Sequence, residues 1–230
     1  MAMEAINDIL GRYRELLSEI DCWFERCCAA VGDQIVCRTG CSACCRGLFD
    51  ITLLDACLLQ DGFNRLAAPI QETIRSMAHQ QLATIQTTVW QDFSSPWLLN
   101  RYPEADWDTA MPDDDEQPCI LLDEHGCCRV YDSRPMTCRL HGVPLIDSDG
   151  DLLFDEWCSL NFRDVDPLSL TALQAPFNDL FKQEQLLFRE FTRRLLGTPF
   201  NELDTLIPAA ILIDFTRFQL PEELWTTSSS

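Results

Sequence analysis

The sequence predicts a mainly α-helical α+β fold with short β-hairpins, in which N- and C-terminal helices flank a metal-stapled, cysteine-rich centre. Three observations predict it: helical spacing of apolar residues towards both ends, strand–turn–strand patterns in the middle, and 13 cysteines, ten of which lie in that middle. With 230 residues and 47% hydrophobic content, the chain can bury one core without disulfides. We divide this single domain into an N-terminal helix (1–36), a cysteine-cluster metal-binding core (37–165) and a C-terminal helical region (166–230).

The N-terminal region predicts one long amphipathic helix. Its apolar residues run from Ile6 to Val31 at helical spacing, and Gly32 is a suitable stop. Three cysteines continue the apolar stripe, so we interpret them as buried hydrophobic side chains rather than ligands. These are Cys22, Cys27 and Cys28.

Two further helices are predicted after the first cysteine cluster. Thr52 and Asp55 have capping-box spacing ahead of LLDACLLQ, in which Cys57 lies among leucines and is interpreted as a core residue. Pro69 opens a third helix that continues to Val89.

Residues 92–118 predict a long irregular connection that is rich in proline and acidic residues. We interpret its acidic run, DDDE at 113–116, as a solvated loop. It lacks the spaced glycine and the final glutamate of a calcium-binding loop.

Two hairpins are predicted in the second half of the centre. Strands at 120–122 and 129–131 flank a DEHG turn, and VPLIDSDGDLLF folds around residues 148–150. Between the hairpins, Ser133 is expected to cap a short helical turn with Pro135 in its opening positions.

The C-terminal region predicts helices again. Asp166 and Pro167 start one helix, and Pro176 starts another that ends at Gly197. The segment IPAAILIDF is expected to be buried, and the polar TTSSS tail is expected to fray.

Charge and hydropathy exclude two classes of function. A net charge of -20 and a pI of about 4.3 repel phosphate backbones, so we expect no nucleic-acid partner. No window approaches the roughly 18 uncharged apolar residues of a membrane span, and the charged N-terminus lacks the features of a secretory signal. We therefore expect no membrane partner and a cytoplasmic location, where clustered reduced cysteines indicate metal or redox chemistry.

Eight of the remaining cysteines are predicted to be metal ligands, because they fall in turns, hairpins and short loops rather than on long apolar faces. The spacing C-x3-C-x2-C in the first cluster suits a zinc knuckle or three irons of a cubane iron–sulfur cluster. Its last cysteine is adjacent to a further one, and we expect these neighbours to point apart and serve different metal atoms or sites. The eight are Cys37, Cys41, Cys44, Cys45, Cys119, Cys128, Cys138 and Cys158.

The two cysteine segments, CRTGCSACCRG and CILLDEHGCCRVYDSRPMTCRL, together resemble the CxxCxxCC or YkgJ-like cysteine-cluster family of zinc- or iron-chelating proteins. The likeness covers residues from about 37 to 160. It consists of the cysteine quartet, Cys119 before apolar residues and an acidic turn, Cys128 before Tyr131, an RPxxCR element around Cys138, and Cys158 as the later cysteine. The resemblance implies bound zinc or iron and a distant similarity to flagellin lysine N-methylases.

Two positions in the centre remain open as additional ligands. Cys127 stands where the resembled family has a non-cysteine residue, although we favour its neighbour Cys128 as the ligand. His141 follows the RPMTCRL element and is either a ligand, a proton carrier or a local hydrogen-bond partner.

The residues leave two hypotheses for function. In the first, the chain is a metal-binding module that acts through a protein partner. In the second, it is an iron–sulfur enzyme for redox or S-adenosylmethionine-dependent modification, with protein lysine methylation by analogy. C-x3-C-x2-C is also the radical S-adenosylmethionine signature, but Ala43 replaces its usual aromatic residue. No base, nucleophile or phosphate-binding loop accompanies the cysteines, which favours the first hypothesis.

The identity of the metal also stays open between iron and zinc. Zinc ribbons usually take ligands from C-x2-C pairs, whereas this chain supplies a tripod and scattered single cysteines. That distribution favours an iron–sulfur cluster.

Overall fold

The computed structural model describes the backbone of residues 2–38, 40–112 and 115–229, and the side chains from 6 to 225 within those ranges. The fold consists of long and short helices together with short strands, which confirms the α+β class. In chain order they are α1 (Ala2–Val31), β1 (Asp50–Thr52), α2 (Leu53–Phe63), α3 (Ala68–Thr88), α4 (Trp107–Ala110), α5 (Met136–Leu140), β2 (Leu145–Asp147), β3 (Leu152–Phe154), β4 (Gln174–Ala175), α6 (Phe177–Leu196), β5 (Asp204–Leu206) and α7 (Ile207–Ala210).

The main core lies between α1 and α6, which pack against each other in opposite directions. Near the start of α1, the Arg12 guanidinium lies 2.7 Å from a Glu190 carboxylate oxygen. Near its end, the Trp23 ring meets the Phe177 ring edge-on at a centroid distance of 4.9 Å. The α1 stripe predicted from helical spacing therefore forms the buried face, and Gly197 ends α6 in a left-handed conformation as expected.

The predicted cap of α2 is confirmed. Thr52 is the N-cap, and its side-chain oxygen accepts a hydrogen bond from the Asp55 amide. Near the other end of α2, a side chain on Gly62 would come within 2.6 Å of the Ser133 Cβ. The lack of a side chain at Gly62 thus lets α2 pack directly against the segment that leads into α5.

Two small sheets were only partly anticipated. The hairpin β2–β3 is confirmed, and β4 joins β2 in parallel, giving the order β3-β2-β4. The antiparallel pair β1–β5 links residues more than 150 positions apart. Local sequence carried no signal for that pair, because a three-residue strand gains its stability from its distant partner.

The connection at 92–118 is less irregular than predicted. It contains two 3-10 turns, Leu99–Arg101 and Glu104–Asp106, followed by α4. Its aromatic side chains form a second core with the end of α3, in which the Trp90 and Tyr102 rings stack at 4.2 Å. Asp113 and Asp114 of the acidic run lie outside the described residues.

Several local predictions were wrong. At the DEHG turn, the strands reduce to one bridge between Leu122 and Cys128, and Tyr131–Ser133 is a 3-10 turn. Pro135 rather than Ser133 is the N-cap of α5. The helix expected from Asp166 consists of the 3-10 turns Pro167–Ser169 and Thr171–Leu173.

The four cysteines predicted to be core residues differ in how deeply they are buried. Cys27 and Cys57 are buried as expected, Cys28 is half-buried, and Cys22 is exposed, because it lies on the outer side of α1. None of the described helices is both long enough and apolar enough to cross a membrane.

Candidate metal centre

The first cysteine cluster lies on a loop that follows α1 and is folded by backbone turns. The Cys41 amide donates to the Arg38 carbonyl at 2.8 Å, and the Cys45 amide donates to the Ser42 carbonyl at 3.1 Å. The same loop is joined to the second cluster, since the Cys119 amide donates to the Cys45 carbonyl at 2.9 Å. The two distant cysteine segments of the sequence are therefore neighbours in the fold.

Asn161 holds the first loop against the later cysteine, and sequence analysis missed it. Its side-chain oxygen accepts from the Val36 amide at 2.9 Å. Its side-chain nitrogen donates to the Gly142 carbonyl at 2.7 Å and approaches the Cys37 sulfur at 3.5 Å. The Gly142 carbonyl also accepts from the Cys158 amide at 3.2 Å. This 2%-exposed amide thus ties Cys37 to the segment that carries Cys158.

One group of thiols surrounds Cys37. Burial raises the pKa of the Cys37 thiol, the contact with Asn161 lowers it, and negative charge at Cys41, Cys44 and Cys158 raises it further. Cys41, Cys44 and Cys158 are therefore each within electrostatic reach of Cys37. Cys28 was interpreted as a core residue, but it is only half-buried. Burial is the main cause that raises the pKa of its thiol, and charge at Cys37 is the second. Cys28 therefore borders the group.

A second group consists of Cys119, Cys128 and Cys138. Burial raises the pKa of the Cys119 thiol to about 11, and Cys128 adds to that shift. Burial also raises the pKa of the Cys138 thiol far above its usual value, and Cys119 and Cys128 raise it further. The short helix α5 presents Cys138 to the other two.

Cys44 and Cys45 connect the two groups. A hydrogen bond between their thiols is the main cause that raises the pKa of Cys44, followed by burial. This bond between the neighbouring thiols contradicts the expectation that they point apart. With the backbone bond from Cys119 to Cys45, all eight predicted ligands occupy one neighbourhood.

Arg134 lies near thiols of both groups. The positive charge of Arg134 lowers the pKa of the thiols of Cys44, Cys128 and Cys138. Asp21 on α1 pairs with Arg134 at 3.0 Å and also with Arg139. The Nε atom of Arg134 is buried and has no hydrogen-bond partner among the described residues.

The short helix α5 is anchored by a buried carboxylate on α2. Asp55 accepts from the Met136 amide at 3.0 Å and from the Tyr13 hydroxyl at 2.8 Å. Burial raises the pKa of Asp55 to about 6, and these hydrogen bonds oppose the shift. Asp55 was identified from sequence as part of a helix cap, but its contacts to α1 and α5 come only from the tertiary fold.

Cys127 and His141, the two further candidate ligands, lie at the margin of the centre. A methyl group at Gly40 would lie 3.8 Å from the Cys127 sulfur, which places Cys127 beside the first loop. The His141 ring meets Phe49 edge-on at 5.6 Å, and burial of the ring lowers its pKa. Neither side chain contacts the group of Cys119, Cys128 and Cys138 through a described hydrogen bond.

The donor chemistry of the centre fits zinc or iron, since thiolates bind both metals and eight of them complete two four-ligand sites. A buried arginine N–H without a partner also fits, because thiolate or sulfide sulfur can accept it. As their side chains are placed, no three His, Cys, Asp or Glu among the described residues are positioned to hold one ion. Metal binding at this centre therefore requires the thiol side chains to reorient.

Comparison with known proteins identifies the family of the cysteine centre. The model of the CxxCxxCC family, described as a "putative zinc- or iron-chelating domain", matches residues 36–159, which is more than half of the chain. The matched range begins next to Cys37 and ends next to Cys158, so it encloses all eight predicted ligands. Searches of curated proteins and of solved structures found no significant match.

Proposed function

Since the chain belongs to the CxxCxxCC family of zinc- or iron-chelating domains, we propose that its eight clustered cysteines form a two-part metal centre and that the protein acts through a protein partner. One part would be Cys37, Cys41, Cys44 and Cys158. The other would be Cys45, Cys119, Cys128 and Cys138. The observation that carries this proposal is that eight thiols from three separate parts of the chain, 37–45, 119–138 and Cys158, lie near one another in the fold.

We favour iron, held as an iron–sulfur cluster, over zinc. Four of the cysteines lie on one loop and four come singly from later parts of the chain, a distribution more typical of clusters than of zinc ribbons. Arg134 supports the same assignment, because its buried Nε–H can donate to sulfur and its charge offsets that of thiolates. When bound, such a cluster would supply electron transfer or a fixed scaffold for the loops.

The enzyme hypothesis has one observation in its favour. A cleft of about 500 Å³ adjoins Cys119 and is also lined by Ser42, Arg46, Gln81 and Asp123. A substrate in that cleft would lie beside the second group of thiols. The described residues of the cleft include no histidine and no nucleophile paired with a base, so we rank a catalytic role second.

Metal analysis with an absorption spectrum on protein purified without oxygen tests the proposal. We expect a brown protein with a broad band near about 400 nm, roughly four irons per cluster and matching acid-labile sulfide. A colourless protein with zinc would overturn the choice of iron and retain the centre. Protein that binds neither metal would overturn the centre itself.

Cys138→Ser and Cys57→Ser form a matched pair for the ligand assignment. Both residues lie on helices and in both burial raises the thiol pKa, to about 12 for Cys57, but Cys57 lies apart from the other thiols. We expect Cys138→Ser to lose metal and Cys57→Ser to retain it, since a serine hydroxyl is a poor ligand for either metal. Equal metal content in the two variants would contradict the assignment.

A further inference from the structure

The edge strand β3 presents an unusual run of exposed apolar side chains. Leu152, Leu153 and Phe154 are 44%, 38% and 41% exposed, and Trp157 just beyond them is 36% exposed. Neighbouring β2 is buried throughout. A contiguous exposed apolar patch of this kind usually marks an interaction surface.

The backbone of this strand also has an open side. In the order β3-β2-β4, β3 has β2 as its one neighbour within the described part of the chain. Proteins normally protect such an edge with charges, prolines or a covering segment, because it can pair with another chain. Here the three strand residues are apolar, and charge stands only at the two ends of the strand.

The charges at both ends are all negative. Asp149 and Asp151 precede the strand, and Asp155 and Glu156 follow it, and all four are exposed. None forms an ion pair with a described residue. The surface is therefore an apolar strand between two unneutralised acidic ends.

We propose that β3 is the docking strand for the protein partner, and that the partner contributes an extended segment of apolar residues interspersed with lysine or arginine. Such a segment would add a strand to the sheet, with main-chain hydrogen bonds along β3, apolar contacts to Phe154 and Trp157, and ion pairs to the acidic ends. This inference deepens the proposed function and rests on its claim that the protein acts through a partner.

A second copy of this chain fits the surface less well. Two β3 strands paired antiparallel about Leu153 would place Asp151 of each copy directly opposite Asp155 of the other. Like charges directly opposite each other are destabilising in a sheet, and the net charge of -20 adds to the repulsion. A strand that carries lysine or arginine would instead place positive charges opposite these carboxylates, and such pairs attract each other.

The docking strand leads directly into the metal centre. Cys158 follows Trp157, and its amide donates to the Gly142 carbonyl that Asn161 also binds. Desolvation lowers the pKa of His141 and the charge of Glu156 opposes that shift, which places the Glu156 carboxylate near the same segment. A partner on β3 would therefore lie a few residues from the first group of thiols.

Isothermal titration with two short synthetic peptides tests the inference on the 230-residue chain. One peptide alternates valine with lysine and threonine, and the other has glutamate in place of every lysine. We expect the cationic peptide to bind, the acidic peptide not to bind, and the affinity to fall with added salt. Absence of binding by the cationic peptide, or equal binding of both, would overturn the inference.

A matched pair of quadruple variants separates the docking strand from the general acidity of the chain. The first neutralises the strand ends with Asp149→Asn, Asp151→Asn, Asp155→Asn and Glu156→Gln. The second makes the same change in net charge at the exposed Glu15, Glu19, Glu72 and Asp108. We expect an affinity loss of about tenfold or more for the first and less than about twofold for the second. Equal losses would overturn the inference.

Two further measurements complete the test. Phe154→Ser should weaken binding of the cationic peptide. If the unmodified chain is instead a dimer, and Phe154→Ser dissociates that dimer, the surface belongs to a second copy and the inference is overturned. Metal content is measured on the same samples, so that failure of the metal centre and failure of the docking strand give separate results. Peptide binding by metal-free protein would support the docking strand while the metal centre fails.

Discussion

Cysteine has different roles in two regions of the molecule. One region is the helical frame, formed by α1, α2, α3 and α6. The other is the cysteine centre, which comprises residues 37–47 and 117–161. In the frame, Cys27 and Cys57 are buried as small apolar side chains. In the centre, all eight predicted ligands are half-buried on turns and short elements. The frame gains its stability from apolar burial, whereas the centre depends on a few polar anchors such as Asn161, Asp55 and Asp21. A cysteine's role thus follows from the element that carries it.

The largest expected effect comes from the frame. Trp23→Ala should lower the free energy of unfolding by about 3–5 kcal/mol, because Trp23 is 2% exposed, packs on Phe177 and donates its indole N–H to the Leu173 carbonyl. Leu186→Ala, at a 68%-exposed position on α6, is the control and should change it by less than about 0.5 kcal/mol. Denaturant unfolding measures both. Metal content per folded chain should be unchanged in each, and its loss in Trp23→Ala would contradict the separation of frame and centre.

A pH effect comes next and also belongs to the frame. Burial, with charge at Asp55 and Asp204, raises the pKa of Glu184 on α6 from 4.5 to about 8. Since the pKa is higher in the folded protein than in the unfolded chain, this group favours folding most at acid pH, and that contribution is lost as the pH rises from about 4.5 to about 8.

Glu184→Gln tests this assignment. We expect the variant to match the parent at pH 5 and to exceed its free energy of unfolding by about 2–3 kcal/mol at pH 9. The exposed Glu15→Gln should leave the pH dependence unchanged. Parallel pH profiles for the parent and Glu184→Gln would show that Glu184 is not the group responsible.

Asn161→Ala should affect the centre more than the frame. It removes hydrogen bonds to the Val36 amide and the Gly142 carbonyl, at a cost of about 2 kcal/mol, and it frees the loop that carries Cys37. Thr192→Val is the control, since Thr192 is fully buried on α6 and accepts a hydrogen bond from the Phe200 amide at 2.9 Å. We expect a similar stability loss in both, with faster metal loss to a chelator in Asn161→Ala alone.

The smallest effects should have opposite signs in the two regions. Gly142 has a φ of +100°, so Gly142→Ala strains the backbone between Cys138 and Cys158 and should cost about 1–2 kcal/mol. Gly11 lies within α1, and no described atom beyond the helix's own backbone lies within 4 Å of the place that a methyl group there would occupy. Gly11→Ala should therefore stabilise by about 0.5–1 kcal/mol. Thermal unfolding of the two variants measures both changes in stability. If both substitutions stabilise the protein, the expected difference between the centre and the frame is absent.

Local patterns predicted most of the frame. The apolar period from Ile6 to Val31, the cap at Thr52 and the glycine stop at Gly197 each depend on neighbours within a few turns, so sequence was sufficient. Predictions failed where the signal was not local. The pair β1–β5 and the second core at 90–110 need partners from distant segments, and the short hairpin at the DEHG turn was too brief for periodicity to resolve.

The sequence by itself determined the class of fold, the metal-binding family and the set of thiols offered as ligands, because spacing and residue type carry that information. Only the tertiary structure decided how those thiols are grouped and what supports them. Asn161, Asp21 and Asp55 act across 80 to 125 residues of chain, and no short-range pattern marks them. The hairpin of β2 and β3 was predicted, but the exposed edge at β3 became visible only in the folded sheet, where β4 pairs with the other side of β2 and no described strand covers β3. Contacts between distant segments form when the chain folds, and short-range patterns do not encode them.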